Sequence, residues 1–287
     1  MFDITAAIGA FPKRKIDAHK GDLGHVLVIA GSYGYTGAAY LTSQAAMLSG
    51  SGLVTLAVGK GIYPILATKL TEVMVRPYIE TKDGSLSLMA EKDILAFSEK
   101  CDCIALGPGI SQNRETIALT QDLITKITKP LVIDADGLNA LAGRAELLKK
   151  AKAPLVLTPH PGEFSRLTNK TKDEIHDDRK ELALGFANEY NTVLVLKGHE
   201  TVVASPGGEW YINKTGNPGM ATAGCGDVLT GIITSFIGQL VDPFVASCLG
   251  VYYHGLAGDQ AAAEKGMVSL LASDLLQKLP YVLKTLA

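Results

Sequence analysis

A chain of 287 residues, 47% of them hydrophobic, suits one large α/β domain or two small ones. The formal net charge of −2 leaves no basic stripe for nucleic acid or an anionic membrane, so any nucleotide must bind in a local pocket. No apolar run approaches the roughly 20 residues of a membrane-spanning helix, and the N-terminus lacks a signal-peptide core. We therefore expect a soluble cytoplasmic protein. The four cysteines form neither a C-x-x-C pair nor a disulfide framework.

Short apolar runs alternate with helical segments over the first two thirds of the chain. Near-continuous apolar runs are typical of parallel strands that are buried on both faces. The predicted strands are residues 25–30, 53–58, 102–106, 131–134, 155–158 and 193–196. The predicted helices between them are residues 37–49, 114–127 and 173–190. This order predicts an α/β fold with a doubly wound, mostly parallel sheet and helices on both faces, with ligand sites at the carboxyl ends of the strands.

The pattern changes after Lys197. A hairpin is predicted from residues 200–204 and 209–212, and helices from residues 227–239, 243–264 and 269–286. No internal repeat or linker divides the sequence, so we expect a single domain over residues 1–287.

Glycine-rich loops follow two of the predicted strands. Gly31, Gly34 and Gly37 do not have the G-x-G-x-x-G spacing of a dinucleotide site, and no G-x-x-x-x-G-K-[ST] occurs anywhere. A phosphate-binding protein of this sequence must therefore use another cradle. The Gly107-Pro108-Gly109 turn is compatible with a plain turn and with a ligand contact.

Polar side chains follow the later strands. Asp134 and Asp136 offer ligands for a metal or a ribose, although we favour Asp136 as the cap of a short helix. Two prolines flank His160 and would hold its imidazole against a ligand. Lys197 offers a point charge to phosphate, with an ordinary turn lysine as the alternative, and Gly198 allows a close backbone approach.

The most informative stretch is N-P-G-M-A-T-A-G-C-G-D-V-L-T-G at residues 217–231. Its small residues let the backbone amides of Gly224, Cys225 and Gly226 turn toward an anion at the start of a helix, where the first donors are unpaired and the dipole is positive. Asp227 would then accept a proton from a hydroxyl that attacks a bound phosphoryl group. The alternative is that Asp227 only caps the helix. We expect the catalytic role.

Together these motifs resemble the ADP- or ATP-dependent NAD(P)H-hydrate dehydratases of the ribokinase-like superfamily. The resemblance runs in order along nearly the whole chain. It rests on H-K-G-D-L-G-H-V-L-V-I-A-G-S at residues 19–32, G-P-G at 107–109, D-A-D-G-L-N at 134–139, T-P-H-P-G-E-F at 158–164, K-G-H-E-T at 197–201 and the stretch at 217–231.

The resemblance implies a role for each matching position. The expected nucleotide contacts are Lys197, Gly198, His199, Glu200, Thr201 and Gly226. The expected contacts of the hydrated nicotinamide nucleotide are Ala39, Gly109, His160 and Asp227. The sequence departs from the family at Cys225, where relatives more often have Thr or Ser. A thiol at a helix N-terminus is expected to have a lowered pKa, but we expect Cys225 to contribute its backbone and not to act as a nucleophile.

The implied activity is dehydration of the S-epimer of hydrated NADH or NADPH, driven by ADP or ATP with Mg²⁺. The magnesium ligands cannot be named from the sequence, although Glu163 is a candidate through water. The resemblance also implies a homo-oligomer, a tetramer, and a separate epimerase, because few residues precede the first predicted strand and a fused epimerase domain is not expected. Two alternatives stay open: a vitamin-precursor hydroxyl kinase of the same fold, and a nucleotide-binding sensor without catalysis.

Overall fold

The computed structural model describes residues 2–286. Within them the strands are β1 His25–Ile29, β2 Leu53–Gly59, β3 Met74–Tyr78, β4 Cys103–Leu106, β5 Leu131–Ile133, β6 Leu155–Leu157, β7 Val193–Leu196, β8 Val202–Ala204 and β9 Trp210–Ile212. They form one sheet in the order β3-β2-β1-β4-β5-β6-β7-β8-β9. Strands β1 to β7 are parallel, and β8 and β9 add an antiparallel hairpin at one edge.

The α-helices of the same residues surround this sheet. They are α1 Ile4–Gly9, α2 Thr36–Leu48, α3 Tyr63–Lys69, α4 Glu91–Ser98, α5 Arg114–Lys126, α6 Asp136–Asn139, α7 Pro161–Thr168, α8 Lys172–Asp177, α9 Arg179–Glu189, α10 Cys225–Gly238, α11 Pro243–Lys265 and α12 Ala272–Val282. No helix within residues 2–286 is long and apolar enough to cross a membrane.

Two hydrophobic cores lie on opposite faces of the sheet because alternate side chains of each buried strand point to opposite faces. Val26 and Val28 of β1 join the core beneath α2, α10, α11 and α12. Leu27 and Ile29 join the core beneath α4, α5, α7 and α9. The apolar strands therefore require helices on both faces, as expected for a doubly wound sheet.

The strand order reverses between β1 and β4, which is the topological switch point where open α/β sheets bind ligands. From this point the carboxyl ends of β4, β5, β6 and β7 follow one another along a single edge of the sheet. The loops predicted to carry function leave the sheet at this edge.

Helix α10 packs unusually close to α2. A Cβ placed on Gly231 would lie 2.2 Å from the carbonyl oxygen of Thr42, and its absence lets the two backbones approach. This contact holds α10 closely against α2.

All six predicted parallel strands and the predicted hairpin are confirmed. The prediction missed β3, an edge strand that contains Pro77 and is largely exposed. The helix predicted over residues 173–190 is two helices, because α8 ends at Asp177 and α9 begins at Arg179. The helices predicted over residues 114–127, 227–239 and 243–264 each agree with the structure within two residues at either end.

Candidate active site

The predicted cradle lies at the start of α10. Gly224 is the N-cap residue, and its φ of 92° lies in the left-handed region that favours glycine. No side chain caps this helix. The amide of Cys225 donates only a long hydrogen bond of 3.5 Å to the carbonyl of Thr222, while Gly226 lies in the first turn, whose amides have no intrahelical acceptor. The helix start therefore offers donors to an anion.

Asp227 lies in the first turn of α10 but does not cap it, because its carboxylate makes none of the side-chain hydrogen bonds observed in residues 2–286. Burial, and then the negative charge of Asp134, raise the pKa of Asp227 to about 7. Lys197 opposes this rise, and Glu163 adds to it. A carboxylate with a pKa near neutrality can both accept and release a proton at pH 7.

A buried ion network lies beside Asp227. The Lys197 ammonium is 2.6 Å from Oδ1 of Asp134 and 4.0 Å from Oε2 of Glu163. The other oxygen of Asp134 accepts a hydrogen bond of 2.7 Å from the Thr230 hydroxyl of α10. Burial alone would lower the pKa of Lys197, but Asp134 and Glu163 raise it above its ordinary value, so the lysine stays charged.

The network ties the ends of β5, β6 and β7 to the cradle. Lys197 follows β7, Asp134 follows β5, and a Cβ on Gly226 would lie 3.2 Å from the ammonium nitrogen. The lysine therefore lies directly beneath the helix start. Its resting partner is Asp134, so its expected contact with nucleotide phosphates stays a prediction.

His160 is the N-cap residue of α7. Its Nδ1 accepts hydrogen bonds from the amides of Gly162 and Glu163, at 2.9 and 3.3 Å. Nε2 lies 3.4 Å from Oε1 of Glu163, whose Oε2 accepts the amide hydrogen of His160 at 2.8 Å. Burial and then the charge of Lys197 lower the pKa of His160, so the ring is neutral at pH 7. The imidazole is thus held in place, as the flanking prolines predicted, and its contact with the hydrated ring stays a prediction.

The expectation that Asp136 caps the short helix is wrong. Ala135 is the N-cap residue of α6, with a φ of 50°, and Asp136 is the first helical residue. The Asp136 carboxylate instead accepts hydrogen bonds from the amide of Ser111 at 3.0 Å and from Asn139 Nδ2 at 3.1 Å. It therefore ties α6 to the loop after β4.

The loop after β7 is braced from below by α9. The Arg179 guanidinium donates to the carbonyls of His199 and Leu196, at 2.7 and 2.8 Å. A Cβ on Gly198, whose φ is 148°, would lie 2.6 Å from the same guanidinium. Thr201 closes the turn by donating to the carbonyl of Gly198 at 3.0 Å. The expected nucleotide loop is therefore a fixed structure.

A cavity of about 800 Å³ opens between this loop, the start of α10 and α11. Eight of the predicted site residues line it, namely His160, Lys197, Gly198, His199, Glu200, Thr201, Cys225 and Gly226. The expected nucleotide contacts are all in this set. Asp227 is not, although it adjoins Gly226.

The other predicted contacts lie toward the switch point. Gly31 donates its amide hydrogen to Pro108 at 2.8 Å, and a Cβ on Gly109 would lie 3.0 Å from the Cβ of Ala38. Ala39, the next residue of α2, is fully buried. The structure thus places Ala38 beside Gly109, apart from the large cavity, and turns Ala39 into the core.

Sequence reasoning was wrong about the thiol of Cys225. Its burial, not the helix dipole, dominates and raises the pKa to about 11. The sequence analysis also missed His254. This residue lies on α11 in the wall of the cavity, and its Nε2 is hydrogen-bonded to the carbonyl oxygen of Cys225 at 2.8 Å. A lone histidine in an apolar helix carries no sequence signal for such a contact.

The described residues offer no ready cage for Mg²⁺, since none of their acidic, histidine or cysteine groups forms a cluster of three that could hold a metal. The Asp134 oxygens are engaged by Lys197 and Thr230. The Glu163 oxygens face His160 and Lys197. Direct coordination by these carboxylates does not fit this arrangement.

The fold and the glycine-rich helix start define the ribokinase-like class. A ribokinase-like superfamily protein from Enterococcus faecalis V583 superimposes with a TM-score of 0.83 and 26% identity, over all of this chain and 95% of that one. The family model described as NAD(P)H-hydrate dehydratase matches residues 26–281. The chain therefore belongs to the NAD(P)H-hydrate dehydratase family, as its motifs predicted.

Two further relatives agree. The ADP/ATP-dependent NAD(P)H-hydrate dehydratase of Bacillus subtilis, crystallised with ATP and Mg²⁺, superimposes with a TM-score of 0.85 and 33% identity over 99% of this chain and 98% of that one. A bifunctional NAD(P)H-hydrate repair enzyme from Moorella thermoacetica is 50% identical over 275 residues. This match takes in 96% of the chain but only 52% of the relative, so the chain spans about half the length of such bifunctional proteins.

Proposed function

We propose that this chain dehydrates the S-epimer of hydrated NADH or NADPH and restores the reduced dinucleotide, with ADP or ATP as phosphoryl donor. The protein would be a hydro-lyase of nicotinamide nucleotide repair. Family membership and the similarity to the Bacillus subtilis dehydratase support this proposal.

One observation carries the proposal at the level of chemistry. The carboxyl group of Asp227 has a pKa of about 7 and makes no hydrogen bond within the described part of the chain. It directly follows Gly226, which lines the large cavity. A helix start without a capping side chain attracts phosphate, and an unpaired acid next to phosphate disfavours anion binding unless it takes a proton. The combination favours phosphoryl transfer over simple binding.

The proposed reaction has two stages. Asp227 removes the proton of the ring hydroxyl as that oxygen attacks the terminal phosphoryl group of ADP or ATP, whose phosphoanhydride bond breaks and releases AMP or ADP. The amides at the start of α10 stabilise the charge on the transferred group. The bond between the ring carbon and oxygen then breaks, because phosphate is a far better leaving group than hydroxide. The ring nitrogen supplies the electrons, and the neighbouring carbon loses a proton.

The site residues keep the roles implied by the resemblance. The cavity beside Lys197, Gly198, His199, Glu200, Thr201 and Gly226 would hold the nucleotide. The edge of the sheet from Gly109 to His160 would hold the hydrated ring, with Asp227 between the two. Ala39 is fully buried, so it would act only by shaping this end of α2. Since no protein cage fits Mg²⁺, we place the ion on the nucleotide phosphates. A cytoplasmic homo-oligomer that works with a separate epimerase completes the proposal.

The rival activities predict different products. A hydroxyl kinase of this fold would use the same cradle and base but would stop at a stable phosphorylated alcohol. A sensor would bind nucleotide without consuming it. The raised pKa of Asp227 argues against the sensor, and the motifs at residues 158–164 and 197–201 favour the dehydratase over the kinase.

The test is to add the S-hydrate with ADP or ATP to the purified chain and to follow the absorbance of reduced nicotinamide. The proposal expects a nucleotide-dependent rise that disappears in the Asp227→Asn variant. Asp173→Asn, an exposed first-turn acid of α8, is the matched control and should react at the normal rate. Nucleotide consumption with no absorbance change would support the kinase instead.

A further inference from the structure

His254 makes one contact that the proposed reaction does not yet use. It lies in α11, twenty-nine residues along the chain from α10's first residue, and its Nε2 is 2.8 Å from the carbonyl oxygen of Cys225. A carbonyl oxygen can only accept, so Nε2 carries the proton and donates. Burial is the main influence on the pKa of His254 and lowers it to about 4. The ring is therefore neutral at pH 7.

The carbonyl of Cys225 belongs to the same peptide unit as the amide of Gly226. In a planar trans peptide the C=O and N–H groups point in opposite directions. A donor bound to the oxygen therefore fixes the plane in which the Gly226 N–H points away from His254. Hydrogen bonds in a chain also polarise one another, so the bond to the carbonyl makes the amide a stronger donor.

The surroundings make this orientation useful. Gly226 and His254 both line the large cavity, together with the loop that Arg179 braces. Gly226 lacks a side chain, and a Cβ there would come within 3.2 Å of the Lys197 ammonium. The first peptide of α10 therefore has, in addition to the helix itself, a contact from a neighbouring element: His254 of α11 holds its carbonyl oxygen.

We infer that His254 is a positioning residue that aims and polarises the Gly226 amide toward the phosphates of a nucleoside di- or triphosphate. This inference rests on the proposed function, because it assumes a phosphorylated nucleotide at the start of α10. His254 acts through the Cys225–Gly226 peptide and need not touch the ligand. Its contribution should therefore depend on the presence of phosphate groups.

The test compares two substitutions by calorimetric titration. His254→Leu removes the donor, whereas the amide nitrogen of His254→Gln can reach the position of Nε2. We expect His254→Leu to weaken ADP binding about five- to tenfold, the scale of one hydrogen bond, and His254→Gln to recover most of it. Adenosine, which has no phosphate, should bind all three forms equally. His176→Leu, on exposed α8, is the control histidine and should leave ADP binding unchanged.

Each contrary result has a distinct meaning. Equal ADP affinity in the unaltered chain and His254→Leu would overturn the positioning role alone. An equal loss of ADP and adenosine would mean direct contact with the nucleoside and would also overturn it. Failure of the unaltered chain to bind ADP or ATP would overturn the proposed function as well.

A second measurement does not depend on the stability of the variants. Nitrogen-15 spectra of the unaltered protein should show the Nε2-protonated tautomer of His254 at pH 7, and the Gly226 amide signal should shift when ADP is added. A ring protonated at Nδ1, or a Gly226 signal unmoved by saturating ADP, would contradict the inference.

Discussion

At the scale of single residues, Asp227 decides how the rate depends on pH. A general base works only when ionised, and the pKa of about 7 places its titration in the neutral range. We predict that kcat/KM for the hydrate rises with pH through about 7 and then levels off. Asp227→Asn should lower turnover by about 10²- to 10⁴-fold while nucleotide affinity stays within severalfold.

The measurement is a pH–rate profile of the unaltered protein and the variant, with calorimetric titration of the nucleotide. A profile that keeps its acid limb in Asp227→Asn would assign the titration to another group. An undiminished rate in that variant would reduce Asp227 to a structural role.

The same residue should cost stability. A carboxyl whose pKa is raised on folding, here from an ordinary 3.8 to about 7, binds its proton more tightly in the folded chain. Ionisation therefore destabilises the fold progressively as pH rises from the unfolded pKa to the folded one. We predict that Asp227→Asn raises the melting temperature, and more so at pH 8 than at pH 5. A difference that does not vary with pH would contradict this account of the raised pKa.

The thiol of Cys225 should react slowly. The pKa of about 11 leaves little thiolate at pH 8, so alkylation should be slow, contrary to what a helix N-terminus alone would predict. We predict that Cys225→Ser and Cys225→Thr keep most of the activity, since both retain the amide and the carbonyl that bonds to His254. Loss of turnover in both variants, with folding and nucleotide binding intact, would mean that sulfur takes part in the reaction.

At the scale of elements, α9 supports the nucleotide loop through Arg179. Its guanidinium spans two carbonyls that a lysine ammonium cannot bridge in the same way. We predict that Arg179→Lys weakens ADP or ATP binding severalfold and leaves binding of the hydrate nearly unchanged. Arg114→Lys, on the exposed start of α5, is the matched control. Equal losses for both ligands in titrations would show a general loosening of the fold.

The elements themselves were largely readable in the sequence because buried parallel strands leave continuous apolar runs. Edge strand β3 could not be recognised in the sequence, because Pro77 and the exposed positions of this strand break the apolar pattern. The boundary between α8 and α9 also escaped prediction, because residues 173–190 carry no proline or glycine near Asp178. Short polar segments are decided by packing and not by local preference.

At the scale of the whole molecule, the sequence predicted which loops come together at the candidate site but not the electrostatics of their side chains. Motifs at the strand ends predicted which loops meet, because carboxyl ends of parallel strands share one edge. The pairing of Lys197 with Asp134, sixty-three residues away, depends on the strand order and could not be read from spacing. The pKa values of Cys225 and Asp227 likewise depend on burial, which only the assembled fold defines.

The central claim is that phosphoryl transfer at the start of α10 drives loss of water from the hydrated ring. Its most direct test is the stoichiometry of a reaction with limiting ADP or ATP and excess S-hydrate. We predict one reduced nicotinamide and one inorganic phosphate for each phosphoryl group that the nucleotide loses, that is, for each ADP converted to AMP or each ATP converted to ADP. Nucleotide consumption that leaves a stable phosphorylated hydrate, or restoration of reduced nicotinamide without nucleotide, would contradict the account.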